Sequence, residues 1–159
     1  MERTKTDLSA FLVEAKRSTY AGLDDDATVS TPIIAGSKQL EYSDGELNYR
    51  DIYFGIAYLV GQEVVTADQQ AIWSMSYAGG LSPDLTEPEN ALEIYAFLRR
   101  ALLRIGEERP FRGPSRFEDG SYCYVDASEG GVSEFHGAEE IYLQGTRVYG
   151  LHYAGGVLR

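Results

Sequence analysis

The sequence predicts an α+β fold: an internally duplicated helix plus antiparallel β-meander, with the two halves sharing a sheet or a core. Three observations predict it. Residues 61–80, GQEVVTADQQAIWSMSYAGG, align without a gap on residues 137–156, GAEEIYLQGTRVYGLHYAGG. The identities are Gly61/Gly137, Glu63/Glu139, Tyr77/Tyr153, Ala78/Ala154, Gly79/Gly155 and Gly80/Gly156, where average residue usage gives about one or two. Upstream, DGELNYRD at 44–51 matches DGSYCYVD at 119–126 through Asp44/Asp119, Gly45/Gly120, Tyr49/Tyr124 and Asp51/Asp126. Finally, each half opens with apolar residues at helical spacing and continues at strand spacing.

In chain order, Leu8, Phe11, Leu12 and Ala15 have the i, i+3, i+4, i+7 spacing of a buried helical stripe, with Thr6 or Asp7 as its cap. Residues 21–37 read as a loop. Asp44-Gly45 is a hairpin signal. Leu47, Tyr49, Asp51 and Tyr53 then alternate with Asn48, Arg50, Ile52 and Phe54, the period of a strand. A turn at Gln69-Gln70 precedes a strand through Trp73, and residues 80–87, with Pro83, form a linker. The second helix starts in Thr86-Glu87-Pro88-Glu89, which has capping-box spacing with Pro in the first turn. Ala91, Tyr95, Leu98, Leu102 and Ile105 make one face, and Gly106 and Pro110 end it. Asp119-Gly120 repeats the hairpin signal, residues 128–131 read as a loop, and Gly145-Thr146 turns before the Tyr149 strand. The whole is a single domain, 1–159, of two pseudo-repeats, about 1–80 and 81–159.

Composition excludes several functions. The chain has 25 acidic and 14 basic residues and a formal charge of -11. That balance opposes direct binding to nucleic acid, which needs clustered cations, and opposes docking on an anionic membrane. Arg99, Arg100 and Arg104 come nearest to a cluster, but among glutamates they read as a solvated helix face. No apolar run approaches the ~20 residues of a membrane span. The lone Cys123 forms neither an intrachain disulfide nor a Cys-rich zinc site. A cytoplasmic protein is the expectation. No phosphate loop, dinucleotide fingerprint or nucleophile elbow is present. Asp24-Asp25-Asp26 lacks the remaining ligands and the glycine of an EF-hand. Neither a cofactor nor a metal is therefore expected.

The candidate site residues are a carboxylate and its aromatic neighbours. Asp51 lies between Tyr49 and Tyr53 on one strand face, placed to orient a polar ligand or to act as a base. Trp73, Tyr77, Tyr149 and Tyr153 hold equivalent positions and would make a concave platform, since tyrosine joins apolar area to a polar tip. Arg112 could hold an anion through its guanidinium fork. Glu63 and Glu139 could flank one substrate or serve as scaffold carboxylates. His136 and His152, aligned with Val60 and Ser76, lack metal-ligand spacing.

Four segments carry a family resemblance: AFLVEAKRSTYAG (10–22), LEYSDGELNYRDIYFG (40–55), IWSMSYAGG (72–80) and PFRGPSRFEDGSYCY (110–124). Together they resemble an uncharacterised bacterial domain family found alone or behind an Xre-type helix-turn-helix in transcription regulators. The resemblance implies a sensing, effector or oligomerisation role and no particular activity. The chain opens at the family's first helix, so no helix-turn-helix is expected here. The functional expectation is a non-enzymatic module that binds a small molecule or a protein partner. The alternatives are a small hydrolase or isomerase using Asp51 or Glu63, and an oligomerisation domain forming a homodimer.

Overall fold

A computed structural model describes residues 5–21, 28–85 and 87–159. Two helices, α1 (Lys5–Ser18) and α2 (Pro88–Leu102), accompany eight strands. The strands are β1 (Lys38–Asp44), β2 (Leu47–Phe54), β3 (Tyr58–Ala67), β4 (Gln70–Leu81), β5 (Arg116–Asp119), β6 (Tyr122–Gly131), β7 (Glu134–Leu143) and β8 (Thr146–Val157). All eight form one antiparallel sheet in the order β1-β2-β3-β4-β8-β7-β6-β5.

This corrects the expected class. The protein is β-rich, one broad sheet with two short helices, rather than a balanced α+β fold with duplicated helices. The reason lies in β4 and β8, which pair directly from Trp73↔Val157 to Leu81↔Tyr149. Their backbone groups satisfy each other, so the sheet continues through the middle of the chain. Residues 128–131 are also corrected: they are the end of β6 and pair with Gly137 to Glu134 of β7. Their Ser, Glu and Gly residues read locally as a turn, but the cross-strand ladder overrides that propensity.

Alternation decides which face carries the core. In β2, Leu47, Tyr49, Asp51 and Tyr53 are buried, whereas Asn48, Arg50 and Phe54 are exposed. The buried rows of β2, β3, β4, β6, β7 and β8 pack with Leu8, Phe11, Leu12 and Ala15 of α1 and with Ile94, Phe97, Leu98 and Ala101 of α2. Both helices thus contribute to one core, and α1 lies against β1 and β2 while α2 meets β6.

Turn and cap positions differ by a residue or more from expectation. The two-residue loops are Gly45-Glu46 and Gly120-Ser121, with each glycine at φ 60, a left-handed conformation that costs glycine little. Helix α1 already begins at Lys5, so Thr6 and Asp7 lie within it and do not precede it. Helix α2 is capped at Glu87 without a side-chain hydrogen bond, and it ends at Leu102, ahead of Ile105 and Gly106. Thr86 and Asp24-Asp25-Asp26 lie outside the described residues. No described helix is long and apolar enough to cross a membrane.

Candidate functional site

The buried face of the sheet carries a polar network. Tyr77 of β4 reaches across β3 and donates a hydrogen bond to Asp51 Oδ1 of β2, at 2.7 Å. The crossing is possible because Gly61 lies between them: a Cβ there would sit 2.4 Å from the Tyr77 ring and hydroxyl. Tyr153 of β8 crosses Gly137 of β7 in the same way and donates to Asp126 Oδ1 of β6, at 2.8 Å. Next to each bridge lies a buried glutamate. Glu63 accepts from Tyr49 and pairs with Lys16 Nζ of α1 at 2.9 Å. Glu139 accepts from Tyr124 at 2.6 Å and from Tyr149 at 2.8 Å, and Arg112 Nη2 pairs with it at 2.6 Å. No described side chain bonds both glutamates.

Burial sets the protonation of this network. Loss of water, reinforced by the charge of Glu63, pushes the Asp51 carboxyl up to about 7, although Tyr77, Arg112 and Lys16 oppose the shift. Asp126 is pushed up to about 6 by burial and then by Glu139. Burial also lowers Lys16, against the pull of Glu63. Two interior cavities touch Asp51 and Arg112, of about 20 and 10 Å³. Each has room for about one water molecule and no substrate.

The smaller cavity shares Tyr20, Tyr53 and Leu59 with a much larger cleft that opens to solvent. This cleft, of about 710 Å³, lies between one side of α2, from Pro88 to Arg99, and the β2–β3 connection. Pro88, Ala91, Leu92, Tyr95 and Arg99 line it from α2; Tyr53, Gly55, Ile56 and Leu59 line the opposite wall. Lys38 and Gly36 complete the rim. The walls are held together by Tyr95, whose hydroxyl donates to the Ile56 carbonyl, and by the edge-on stacking of Tyr20 on Tyr53, with centroids 6.1 Å apart. Arg99 lies over the Tyr20 ring, 5.1 Å from its centroid. The volume falls within the ~300–1,000 Å³ typical of small-molecule sites.

Of the eight sequence-predicted residues, Tyr53 lines the cleft, Asp51, Tyr77 and Arg112 line the small cavity behind it, and Tyr49 lines the other interior cavity. Trp73, Tyr149 and Tyr153 line none of the three. Trp73 is fully buried and donates to the Val132 carbonyl at 3.1 Å; Tyr149 and Tyr153 bond the network carboxylates. The exposed aromatic platform is therefore absent, because these rings point under the helices and fill the core. The opposite, uncovered face holds a shallow trough of about 650 Å³ lined chiefly by Ile52, Phe54, Val60, Val64, Ala78 and Ala154, and also touched by the buried Tyr77 and Tyr153. His152 lines that trough, while His136 stands exposed beside Glu129 at 3.6 Å. Among the described residues no three His, Cys, Asp or Glu side chains converge as a metal site.

Sequence reasoning missed Lys16, Tyr20, Tyr95 and Arg99 as site residues. Lys16 had a signal: it follows Leu8 and Leu12 at helical spacing, a cation on the apolar stripe. Arg99 had none, because Arg100 beside it does make an ordinary surface pair with Asp119, at 3.0 Å.

The fold and site define a single-sheet, β-rich protein with its helices on one face and a ligand-sized cleft alongside the second helix. The sequence profile of DUF5680, a domain of unknown function, matches residues 51–158, and the chain belongs to that family. No curated protein and no solved structure matches it.

Proposed function

We propose that the protein is a non-enzymatic module that binds a small molecule in the cleft between α2 and the β2–β3 connection. The carrying observation is the cleft itself: about 710 Å³, mostly apolar walls, and a few convergent polar groups from Tyr53, Tyr95, Lys38 and Arg99. The catalytic alternative has less support. Asp51 has a protonation equilibrium suited to a base, but the space beside it admits no substrate, and Tyr77 already occupies Oδ1. Where a domain of this kind is linked to a DNA-binding module, as the sequence resemblance implies, the bound molecule is the signal it reads.

A thermal-shift screen against a metabolite library tests this reading. A ligand at about 100 times its Kd stabilises the folded state by about 2.7 kcal/mol. For a chain of this length that is a rise of roughly 5–10 °C in Tm. Ala91→Trp, which places an indole inside the cleft, should abolish the shift while leaving the unliganded Tm near wild type. A screen without hits, or hits that stabilise the variant equally, defeats the reading.

A further inference from the structure

The charges around the cleft say what it takes. Most described cations of this acidic chain lie beside a carboxylate. Among the described residues, Arg17, Arg50, Arg100, Arg109, Arg112, Arg116, Arg147 and Arg159 each pair with a carboxylate. Arg99 and Arg104 are the two described arginines that do not. Arg104 rests on Phe117, 4.7 Å from the ring centroid, in a surface dip whose lining includes Glu118 and Asp119. Arg99 differs: no Asp or Glu is among the described residues lining its cleft, and a second cation, Lys38, stands at the rim.

The arginine is also held ready. Its guanidinium carbon lies over the Tyr20 ring, 5.1 Å from the centroid, a cation–π contact that favours this side-chain position. Tyr20, Tyr53 and Arg99 all line this cleft, and the charge of Arg99 acts on both tyrosine hydroxyls. Neither hydroxyl donates to another described residue. Around these polar groups the walls are apolar: Leu59 is buried, while Ile56 and Leu92 are 75% and 72% exposed. An apolar pair that exposed, beside an unneutralised guanidinium, is the complement of a molecule with one anionic end and one apolar body.

We infer that the cleft binds a small amphipathic anion, a carboxylate or sulfonate of an apolar or aromatic body. Its head group lies on Arg99 and Lys38, within reach of the Tyr53 hydroxyl, and its body runs outward along Leu59, Ile56 and Leu92. The guanidinium fork matches the two oxygens of a carboxylate. This inference rests on the proposed function and adds the class of ligand.

Two fluorescent probes separate the two claims. The anionic probe is 1-anilinonaphthalene-8-sulfonate, and the neutral probe of similar bulk is Nile red. The expected result is saturable 1:1 binding of the anilinonaphthalene sulfonate to the folded protein. Arg99→Ala should weaken that binding at least tenfold, Arg99→Lys less, and Ala91→Trp should eliminate it. Nile red, lacking the head group, should be insensitive to Arg99→Ala. If Ala91→Trp blocks both probes but Arg99→Ala changes neither, the cleft binds small molecules but not through anion recognition, and this inference alone falls. If Ala91→Trp changes neither probe, the cleft is not the site and the proposed function falls with it. Circular dichroism of each variant confirms the fold, so that loss of binding reports the cleft.

Discussion

Asp51 keeps its carboxyl in a place where ionisation is costly. Buried, next to Glu63 and bonded to Tyr77, it holds its proton up to about 7 in the folded state. In the unfolded chain a carboxyl of this kind ionises near its ordinary value of 3.8. The sign follows. Below about 4 both states hold the proton and folding loses nothing; between about 4 and 7 the unfolded chain releases its proton while the fold retains it. Stability is therefore lost as pH rises through that window, with Asp126 contributing in the same sense up to about 6. Asp51→Asn keeps the shape and removes the titration. Urea unfolding at several pH values between 5 and 8 should show a decline in the wild type and a shallower one in the variant. Equal slopes would mean that Asp51 does not titrate in this range. At this scale the sequence was partly legible. The identities Asp51/Asp126 and Glu63/Glu139 mark groups that the structure builds into buried hydrogen-bonded pairs. Their burial was not legible, because a carboxylate on an alternating strand reads the same facing solvent or core until the helices are placed over one face.

Strand β3 shows how one missing side chain organises its neighbours. Gly61 stands opposite Tyr77 and Tyr53 in the ladder, and the Tyr77 ring lies across it to reach Asp51. A methyl at Gly61 would sit 2.4 Å from Tyr77 and 2.7 Å from Tyr53 Cβ. Gly61→Ala should therefore cost about 1–3 kcal/mol by overpacking, and more if the Tyr77–Asp51 bond breaks. Gly106→Ala, where a Cβ would meet nothing within 4 Å, is the control and should be near neutral in the same urea titration. A neutral Gly61→Ala would show that Tyr77 does not need that path. Most elements were legible from periodicity, including both helices and the β2 strand. Residues 128–131 were not, because Ser128, Glu129, Gly130 and Gly131 carry turn composition and owe their extension to pairing with β7. The cleft was equally hidden. Its walls come from residues 20, 36–38, 53–59 and 88–99, which no local pattern joins.

The molecule as a whole is a broad sheet with unequal faces. One face is sealed by two helices over a core in which tyrosine hydroxyls and carboxylates satisfy one another. The other is open and shallow, and the ligand-sized, cation-bearing cleft opens at the edge of the sealed side. The small cavity beside Asp51 and the cleft share Tyr20, Tyr53 and Leu59, so the cleft floor is made of side chains that also pack in the core. A preformed wall of this kind lowers the ordering cost of binding. Native mass spectrometry of freshly purified wild type and Ala91→Trp, each with a denatured control, tests the binding claim most directly. A small non-covalent mass on the wild type, lost on denaturation and missing from Ala91→Trp, is the predicted result. A bound mass that persists in Ala91→Trp, or wild-type protein that stays bare even when supplied with a metabolite extract, would contradict it.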